Sequence, residues 1–282
     1  MSRFPTLNIS EKDTAGVNFL YHTAAGRAIL QILIRPAVSQ ALGAFLDTAL
    51  SRHLVAPFVR ATKLDLSDYP ERDYASFNDF FTRTVKDGHR PMDMDPHTLV
   101  APCDGKLTAY PITAEGVFDI KHSVYTVTDL LRDPELAARF EGGSCLIFRL
   151  TPDDFHRYSF MDAGRILSSK TIAGVLHTVR PIAFRRYPVF SENAREYAVL
   201  ETENFGTVVQ MEVGALFVGR IVNHPLNAFV RGQEKGKFEF GGSTVILLLQ
   251  KGAAEIDEEL LRNTREGKES IVRLGQPIGK KA

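Results

Sequence analysis

Cysteine is scarce in this sequence, and charge of neither sign is in excess. The two cysteines, Cys103 and Cys145, lie far apart and belong to no set with metal-ligand spacing, so we predict neither a disulfide scaffold nor a metal site. The 34 lysines and arginines balance the 34 aspartates and glutamates. A neutral chain has no overall field that favours nucleic acid, so any affinity for an anionic surface must come from local patches.

Long apolar runs are also missing. The first residues, MSRFPTLNISEKD, lack the basic and then apolar pattern of a signal peptide. The uncharged stretch of residues 36–46 near the N-terminus falls well short of the roughly 20 residues that a membrane-spanning helix needs. We therefore predict that no part of the chain spans a membrane. Because cysteine is so scarce, a reducing cytoplasm is the simplest compartment.

Helical patterns fill the N-terminal region. Between residues 15 and 60 apolar side chains recur at helical spacing, and Pro36 and Pro57 interrupt the run. Such an apolar stripe either faces the protein core or rests on lipid. Four arginines flank it: Arg27, Arg35, Arg52 and Arg60. A short helix is expected next, capped by Ser76 and ended by Gly88.

The pattern changes at about residue 98, where short segments rich in β-branched and aromatic residues begin. The predicted strands are CLIFRL, EYAVLET, TVVQMEV, ALFVGRIV and STVILLLQ. Asn204 and Gly206 mark a turn, and EIDEELLRNTREG near the C-terminus indicates one exposed helix. The predicted fold is therefore α+β. A helical region of residues 1–75 precedes a β-rich, mostly antiparallel catalytic domain of residues 76–282 with flanking helices.

A serine at the start of the last predicted strand is the strongest chemical signal. In KGKFEFGGSTVILLLQ, Gly241 and Gly242 precede Ser243, and an apolar run follows. A strand entered through a flexible turn is the plain interpretation. Alternatively, the hydroxyl attacks the carbonyl of Gly242, β-elimination removes the resulting ester, and hydrolysis of the dehydroalanine leaves a pyruvoyl group and ammonia. This chemistry requires a base and a group that orients the base.

Two further segments supply candidates for those roles. APCDGKL places Asp104 in a tight turn, which an ordinary Asp-Gly turn would also explain. FRLTPDDFHRYSF places His156 in a loop after a strand. Its neighbours there are Asp153, Asp154 and Arg157. A loop histidine is often solvated and without a role, but here two acids and an arginine converge on it, so a functional role is an equal alternative.

Together these segments resemble the phosphatidylserine decarboxylase family, in their order and over residues 76–279. The matching pieces are FNDFFTR with RPMD, APCDGKL, FRLTPDDFHRYSFMDAG, GVLHTVRPIA, SENAREYAVLETENFG, MEVGALFVGRIV, KGKFEFGGSTVILLL and LGQPIG. No single piece is decisive, but the ordered set is not a chance match. The FGGST form is similar to the branch of the family that carries a second glycine before the serine.

The resemblance implies a self-processing decarboxylase that converts phosphatidylserine to phosphatidylethanolamine and carbon dioxide through a Schiff base. It implies cleavage between Gly242 and Ser243 into a β chain of residues 1–242 and an α chain of residues 243–282. The cofactor would be the pyruvoyl group derived from Ser243, and Asp104 matches the family's triad aspartate. The expected partner is phosphatidylserine in the bilayer, met by a peripheral protein on the cytoplasmic face. The family often forms homodimers.

One position departs from the family's pattern. The family's loop usually has two histidines three residues apart. His156 matches the first, which is often tied to substrate phosphate and to decarboxylation, and Arg157 is a further candidate for the phosphate. The second, usually the triad base, is Ser159 here, and a serine does not take that proton at neutral pH. Our hypothesis is that the base has moved to His177 in GVLHTVRP, with His156 as the fallback.

Two alternatives to this function remain open. One is a soluble pyruvoyl-type decarboxylase of a free amino acid on the same scaffold, which the predicted absence of a membrane span allows. The other is a non-catalytic relative that never cleaves and acts as a lipid-binding module, which the altered histidine pattern would permit. Retention of Asp104, Gly242 and Ser243 counts against the second alternative.

Overall fold

The structure, a computed structural model, describes residues 2–8, 15–120, 123–184, 186–217, 220–240 and 243–282. Within these ranges helices fill most of the N-terminal region and strands dominate the rest, which confirms the α+β prediction. The α-helices are α1 (Ala15–His22), α2 (Ala24–Leu33), α3 (Pro36–Leu46), α4 (Val55–Thr62), α5 (Phe77–Phe81), α6 (Val127–Leu131), α7 (Pro134–Ala138), α8 (Pro181–Phe184), α9 (Val189–Glu192) and α10 (Glu258–Arg265). A 3₁₀ helix, Ala49–Leu54, lies between α3 and α4.

The strands are β1 (Thr6–Asn8), β2 (Thr98–Val100), β3 (Gly105–Pro111), β4 (Val117–Ile120), β5 (Ser123–Thr126), β6 (Ser144–Leu150), β7 (Arg157–Ser159), β8 (Gly164–Ile172), β9 (Arg195–Thr202), β10 (Gly206–Val213), β11 (Arg220–Asn223), β12 (Ala228–Phe229), β13 (Glu234–Glu239), β14 (Ser243–Leu249), β15 (Ala254–Ile256), β16 (Lys268–Val272) and β17 (Pro277–Lys281). In the described part of the chain, the largest sheet has the order β1-β16-β3-β6-β14-β10-β9-β8-β12. Smaller sheets are β11-β13-β7, β15-β17-β2 and β4-β5. These paired strands are antiparallel, as predicted.

Strand β14 lies at the centre of the large sheet, between β6 and β10. Its side chains alternate between two hydrophobic cores, one on each side of the sheet. We call these sides the first face, which carries Val245, and the second face, which carries Ile246. By the same alternation Ser243 lies on the first face and Thr244 on the second. Burial on both sides explains the near-continuous apolar run of this strand.

The N-terminal region is joined to the rest of the molecule at several places. Strand β1, which the sequence did not predict, pairs with β16. Helices α1 and α2 place Tyr21 and Leu30 in the core of the second face. Helix α3 and the segments after it pack around α5, where Phe77, Phe80 and Phe81 form a separate cluster. Residues before and after position 75 therefore pack together, and the boundary there stays a prediction.

The helices of this region carry exposed apolar surface. Within the described residues no single helix is long and apolar enough to cross a membrane. Helices α2 (Ala24–Leu33) and α3 (Pro36–Leu46) are long and apolar enough when they are counted together, by length and composition only. The two helices meet at a bend of 67°. Exposed apolar side chains in this part of the chain include Phe19, Ile29, Ile32, Phe45, Leu50 and Leu54.

Three predicted elements are shorter than expected. Helix α5 is capped by Ser76 as predicted, but it ends at Phe81 instead of continuing toward Gly88. Among the described residues of ALFVGRIV, the strand residues are those of β11, which begins at Arg220 and lies outside the large sheet. Phe217 in the same segment has a φ of 68°, which a strand does not accommodate. The C-terminal EIDEELLRNTREG contains the end of β15 as well as α10.

Candidate active site

Ser243 is the first residue of β14 and is completely buried. Its register places it opposite Leu150, the last residue of β6. The Oγ atom has no hydrogen-bond partner among the described residues. Burying a hydroxyl without a partner costs stability, so packing alone does not explain a serine at this position. The bond predicted to be cleaved joins Gly242 to Ser243. Gly242, like Gly241, lies outside the described residues.

His156 lies in the loop between β6 and β7 and is also completely buried. Its Nδ1 atom is 2.9 Å from the carbonyl oxygen of Asp154. Because a carbonyl only accepts, Nδ1 carries the proton and Nε2 carries the lone pair. Nε2 has no partner among the described residues. Burial, with the positive charge of Arg83, lowers the pKa of His156 to about 3, so the ring is neutral at pH 7 and its Nε2 is unprotonated.

The loop of His156 contacts the segment that leads to Ser243. The amide of Phe238 donates to the carbonyl oxygen of His156 at 2.9 Å. The ring centroid of Phe81 lies 4.1 Å from that of the imidazole and 5.3 Å from that of Phe240. Phe240 is the last described residue before the predicted cleavage position. These contacts hold His156 beside the residues that lead to the predicted cleavage position.

Asp104 lies just before β3, and its carboxylate bonds to an arginine. Arg90 Nε is 2.9 and 3.0 Å from the two carboxylate oxygens, and Arg90 Nη2 is 2.7 Å from one of them. The amide of Leu274 also donates to the carboxylate, at 2.8 Å. A cavity of about 330 Å³ is lined by Asp104 and by Asp154 of the histidine loop. The cavity connects the predicted triad aspartate with that loop, although no hydrogen bond to a histidine is seen for this carboxylate in the described part of the chain.

His177 lies on the other side of the sheet from the Ser243 side chain. Its ring stacks on Tyr187 at a centroid distance of 4.0 Å, and its Nδ1 is 3.3 Å from the hydroxyl of Tyr21. Tyr21 belongs to the core of the second face, whereas Ser243 lies on the first. Because successive side chains of a strand point to opposite faces and the paired backbone separates them, this geometry favours His156 over His177 as the base.

The buried ring of His177 predicts a loss of stability in acid. Burial lowers its pKa from 6.5 to about 4, so the folded state favours the neutral ring. Stability present above pH 6.5 is therefore lost as the pH falls toward 4, by about 2 kcal/mol between pH 7 and pH 5. Urea unfolding of the Ser243→Ala precursor at both pH values measures the total loss, to which His156, whose pKa is also lowered, contributes with the same sign.

In a His177→Phe version of the precursor, the free energy of unfolding should change between pH 7 and pH 5 by about 2 kcal/mol less than in the parent. His97 is exposed, so His97→Phe is the matched control and should leave the dependence unchanged. If the free energy of unfolding depends on pH identically in the His177→Phe variant and its parent, His177 is not a source of the loss of stability in acid.

Two other residues of the FRLTPDDFHRYSF segment, both in β7, form hydrogen bonds with the surrounding protein. Arg157 Nη1 lies 3.0 Å from both carboxylate oxygens of Glu234, and its Nε donates to the carbonyl of Thr82 at 2.8 Å. The amide of Ser159 donates to the carbonyl of Pro102 at 2.8 Å. Arg157 would have to leave its ion pair to bind a phosphate, so its role there stays a prediction.

Sequence reasoning missed several buried charges around these residues. Arg83 and Lys106 are both buried, and their charges contribute to the lowered pKa of His156. Glu212 on β10 is fully buried and accepts from Lys235 on β13 at 2.5 Å. The signal for Glu212 was present, since it is a lone acid in the apolar strand TVVQMEV. The others lie in segments whose burial only the tertiary structure reveals.

The two cysteines add no further chemistry to the site. Cys103 and Cys145 are free and buried, and burial raises the pKa of both thiols. Their reactive thiolate forms are therefore disfavoured at neutral pH. Within the described ranges, no group of three or more histidine, cysteine, aspartate or glutamate side chains is arranged to hold a metal ion.

Known proteins are similar to this chain over most of its length. The sequence model of one family, phosphatidylserine decarboxylase, matches residues 77–280. The chain belongs to the phosphatidylserine decarboxylase family. It is 44% identical over 264 residues to phosphatidylserine decarboxylase proenzyme 2 of Clostridium acetobutylicum, covering 93% of this chain and 91% of the relative. It is 37% identical to the phosphatidylserine decarboxylase proenzymes of Clostridium perfringens, with 94% and 92% coverage, and Ruminiclostridium cellulolyticum, with 93% and 90% coverage.

The phosphatidylserine decarboxylase family is pyruvoyl-dependent, and the surroundings of Ser243 fit a precursor of that group. Its hydroxyl is buried and unpartnered among the described residues. The strand that begins at Ser243 pairs with β6 on one side and β10 on the other. A chain starting at residue 243 would therefore keep its new N-terminus fixed at the centre of the sheet.

Proposed function

We propose that this chain is a self-processing decarboxylase that converts phosphatidylserine to phosphatidylethanolamine and carbon dioxide, with a pyruvoyl group made from Ser243. Family membership supports the reaction. The names of the relatives, which describe proenzymes, support a processed form with chains of residues 1–242 and 243–282. The observation that carries the proposal is the buried hydroxyl of Ser243, which has no hydrogen-bond partner in the described ranges, at the start of a strand held on both sides.

In self-processing, Ser243 is the nucleophile and His156 the base. Nε2 of His156 takes the Oγ proton, Oγ bonds to the carbonyl carbon of Gly242, and the peptide C–N bond breaks as its nitrogen takes a proton. Loss of the Cα proton then breaks the Cβ–Oγ bond and releases the carboxylate of Gly242. Water converts the dehydroalanine to the pyruvoyl group and releases ammonia. Asp104 is held by Arg90 and lines a cavity together with Asp154 of the histidine loop, and its proposed role as the triad aspartate rests on the family resemblance.

In decarboxylation, the pyruvoyl group supplies the carbonyl that withdraws electrons as carbon dioxide leaves. His156 lies beside the segment that leads to residue 243 and is the proposed donor of a proton to the substrate carbon that has lost carbon dioxide, a step in which its Nε2 must first gain a proton. Arg83 is buried next to this histidine, and its Nε has no partner in the described part of the chain. Its positive charge suits the anionic head group of the substrate.

The intact mass of the purified protein under denaturing conditions tests the self-processing. Two chains split between Gly242 and Ser243 are expected, and the smaller should be lighter than a serine-started peptide by one ammonia. A single uncut chain of 31.4 kDa would favour the lipid-binding relative instead. Carbon dioxide release from phosphatidylserine, compared with free amino acids, then separates the lipid substrate from a soluble one.

We further propose that residues 1–75 hold the enzyme on the cytoplasmic face of a membrane as a peripheral protein. The region exposes apolar side chains, and residues 15–46 contain no aspartate or glutamate. An exposed apolar surface with basic flanks is suited to an anionic lipid surface. A homodimer is proposed from the family resemblance alone, and light scattering of the purified protein would measure it.

Charged substitutions on this surface should weaken membrane binding. Ile32 is 58% exposed and Leu50 is 73% exposed. Inserting one such side chain into lipid contributes roughly 1.5 kcal/mol or more, so Ile32→Asp with Leu50→Asp should lower the affinity for phosphatidylserine vesicles at least about tenfold. Vesicle flotation measures this affinity. Val230→Asp, at a position that is 64% exposed outside this region, is the control, and unchanged flotation of the double variant would refute the proposal.

A further inference from the structure

A buried carboxylate lies near Ser243 on the first face of the sheet, and one of its oxygens has no hydrogen-bond partner in the part of the chain that the structure describes. Glu212 is opposite Val245 in the β10–β14 register and is fully buried. Ser243 is two residues along the same strand, so it is the diagonal neighbour of Glu212. Such neighbours lie about 7 Å apart, within reach of a long side chain. Neither Glu212 Oε1 nor Ser243 Oγ has a hydrogen-bond partner among the described residues.

The other carboxylate oxygen of Glu212 is held in place. Lys235 Nζ donates to Oε2 at 2.5 Å and to Asn223 Oδ1 at 3.1 Å. The amide of Asn223 donates to the same Oε2 at 3.4 Å. A buried ion pair is often no more stabilising than a well-packed apolar pair of similar volume. Stability therefore does not account for an acid and a lysine in the apolar interior beside the reactive serine.

Space for a small polar group adjoins this pair. A cavity of about 170 Å³ is lined in part by Asn223 and Lys235, the two residues that hold Glu212. Glu196 of β9 also lines the cavity, and it accepts from the amide of Asn223 at 3.0 Å. Glu212 on β10 therefore lies between the strand that begins at Ser243 and a strand that borders this cavity.

We propose that Glu212 is a catalytic residue of the decarboxylation that receives the ammonium group of the amino-lipid substrate. This inference rests on the proposed function. The ammonium gives one proton to Oε1, and the nitrogen lone pair forms a C–N bond to the carbonyl carbon at position 243. The carbonyl oxygen leaves as water with one proton from Glu212 and one from the nitrogen. Lys235 is a positioning residue that fixes the carboxylate.

The surroundings of Glu212 suit a proton acceptor. Burial raises its pKa, which makes it a stronger base than an exposed carboxylate. The charged and titratable groups that face it are Lys235, Glu196, Tyr158 and Cys103. Lys235 opposes the rise and Glu196 adds to it. Burial raises the pKa of Tyr158 and of Cys103, so both are neutral at pH 7 and neither competes for the proton.

Reductive trapping of an amine tests this role without turnover. Processed wild type, Glu212→Gln and Glu196→Gln are incubated with phosphatidylethanolamine vesicles and cyanoborohydride, and the mass of the α chain reports the amine joined to it. Glu196→Gln is the matched control, because Glu196 shares Asn223 with Glu212. All three proteins should self-cleave, and Glu196→Gln should be trapped at the wild-type rate. Glu212→Gln should be trapped about 100-fold more slowly at pH 7.

The pH profile separates proton transfer from a merely structural role. In Glu212→Gln the free amine must come from solution, so trapping should rise about tenfold per pH unit below the pKa of the amine. The wild-type profile should be flatter. A double variant, Glu212→Leu with Lys235→Met, removes both charges at similar volume and should show the steep profile as well. If Glu212→Gln does not self-cleave, the double variant is used in its place.

Several outcomes would overturn the inference. Trapping of Glu212→Gln at the wild-type rate and with the wild-type profile would do so. Equal slowing in Glu212→Gln and Glu196→Gln would show a general effect of the polar network. Failure of both Glu212 variants to self-cleave would place the pair in self-processing rather than amine capture. A wild-type α chain without a pyruvoyl group would refute the proposed function itself, and the inference with it.

Discussion

Ser243→Ala will accumulate as one chain of 31.4 kDa that carries no pyruvoyl group and releases no carbon dioxide from phosphatidylserine. Without Oγ no atom at this position can attack the carbonyl of Gly242. The loss should be complete rather than partial, because the electron-withdrawing group is made only from that side chain. Denaturing mass measurement and carbon dioxide release from the same preparation check both parts of the prediction.

Thr244 provides a matched control for this substitution. It is also fully buried, and its Oγ1 also lacks a partner among the described residues. It lies on the second face of the sheet, however, so Thr244→Val should still yield two chains. Cleavage of Ser243→Ala, or an uncut Thr244→Val, would show that the assignment of the reactive hydroxyl is wrong.

His156→Ala should slow self-cleavage by about 10²–10⁴-fold, the usual contribution of a general base, whereas His177→Phe should cleave near the parent rate. The reason is the geometry of the sheet. His156 presents an unprotonated Nε2 beside the segment before Ser243, and His177 packs with Tyr21 in the core of the opposite face. Cell-free synthesis followed by gel separation of precursor and products gives the rates.

A more conservative substitution of His156 distinguishes the loss of the base from a loss of folding. His156→Asn can still donate a side-chain hydrogen bond to the carbonyl of Asp154, but it has no basic nitrogen. It should therefore fold like the Ser243→Ala precursor, by circular dichroism and urea unfolding, and remain uncut. If His177→Phe stops cleavage and both His156 variants cleave normally, the base has moved to His177, and the argument from the two faces of the sheet fails.

The strands could be predicted because their patterns are local. Strands β6, β9, β10 and β14 are buried, and burial produces the runs of β-branched and apolar residues that identify them. The turn between β9 and β10 has a φ of 66° at Gly206, a conformation that glycine adopts easily. Strand β1 has only three residues and no strong pattern, so its pairing with β16 could not be predicted.

The family could be recognised, and the reactive residue predicted, from the sequence alone. Ser243, the glycines before it and the apolar strand after it are contiguous, and the order of the motifs needs no structure to be recognised. The tertiary structure was needed to show which side chains surround that serine. It separated His156 from His177 and brought Glu212 and Lys235 to one place. Alternation along a strand is a local property, whereas the neighbours of that strand come from distant parts of the chain through long-range pairing.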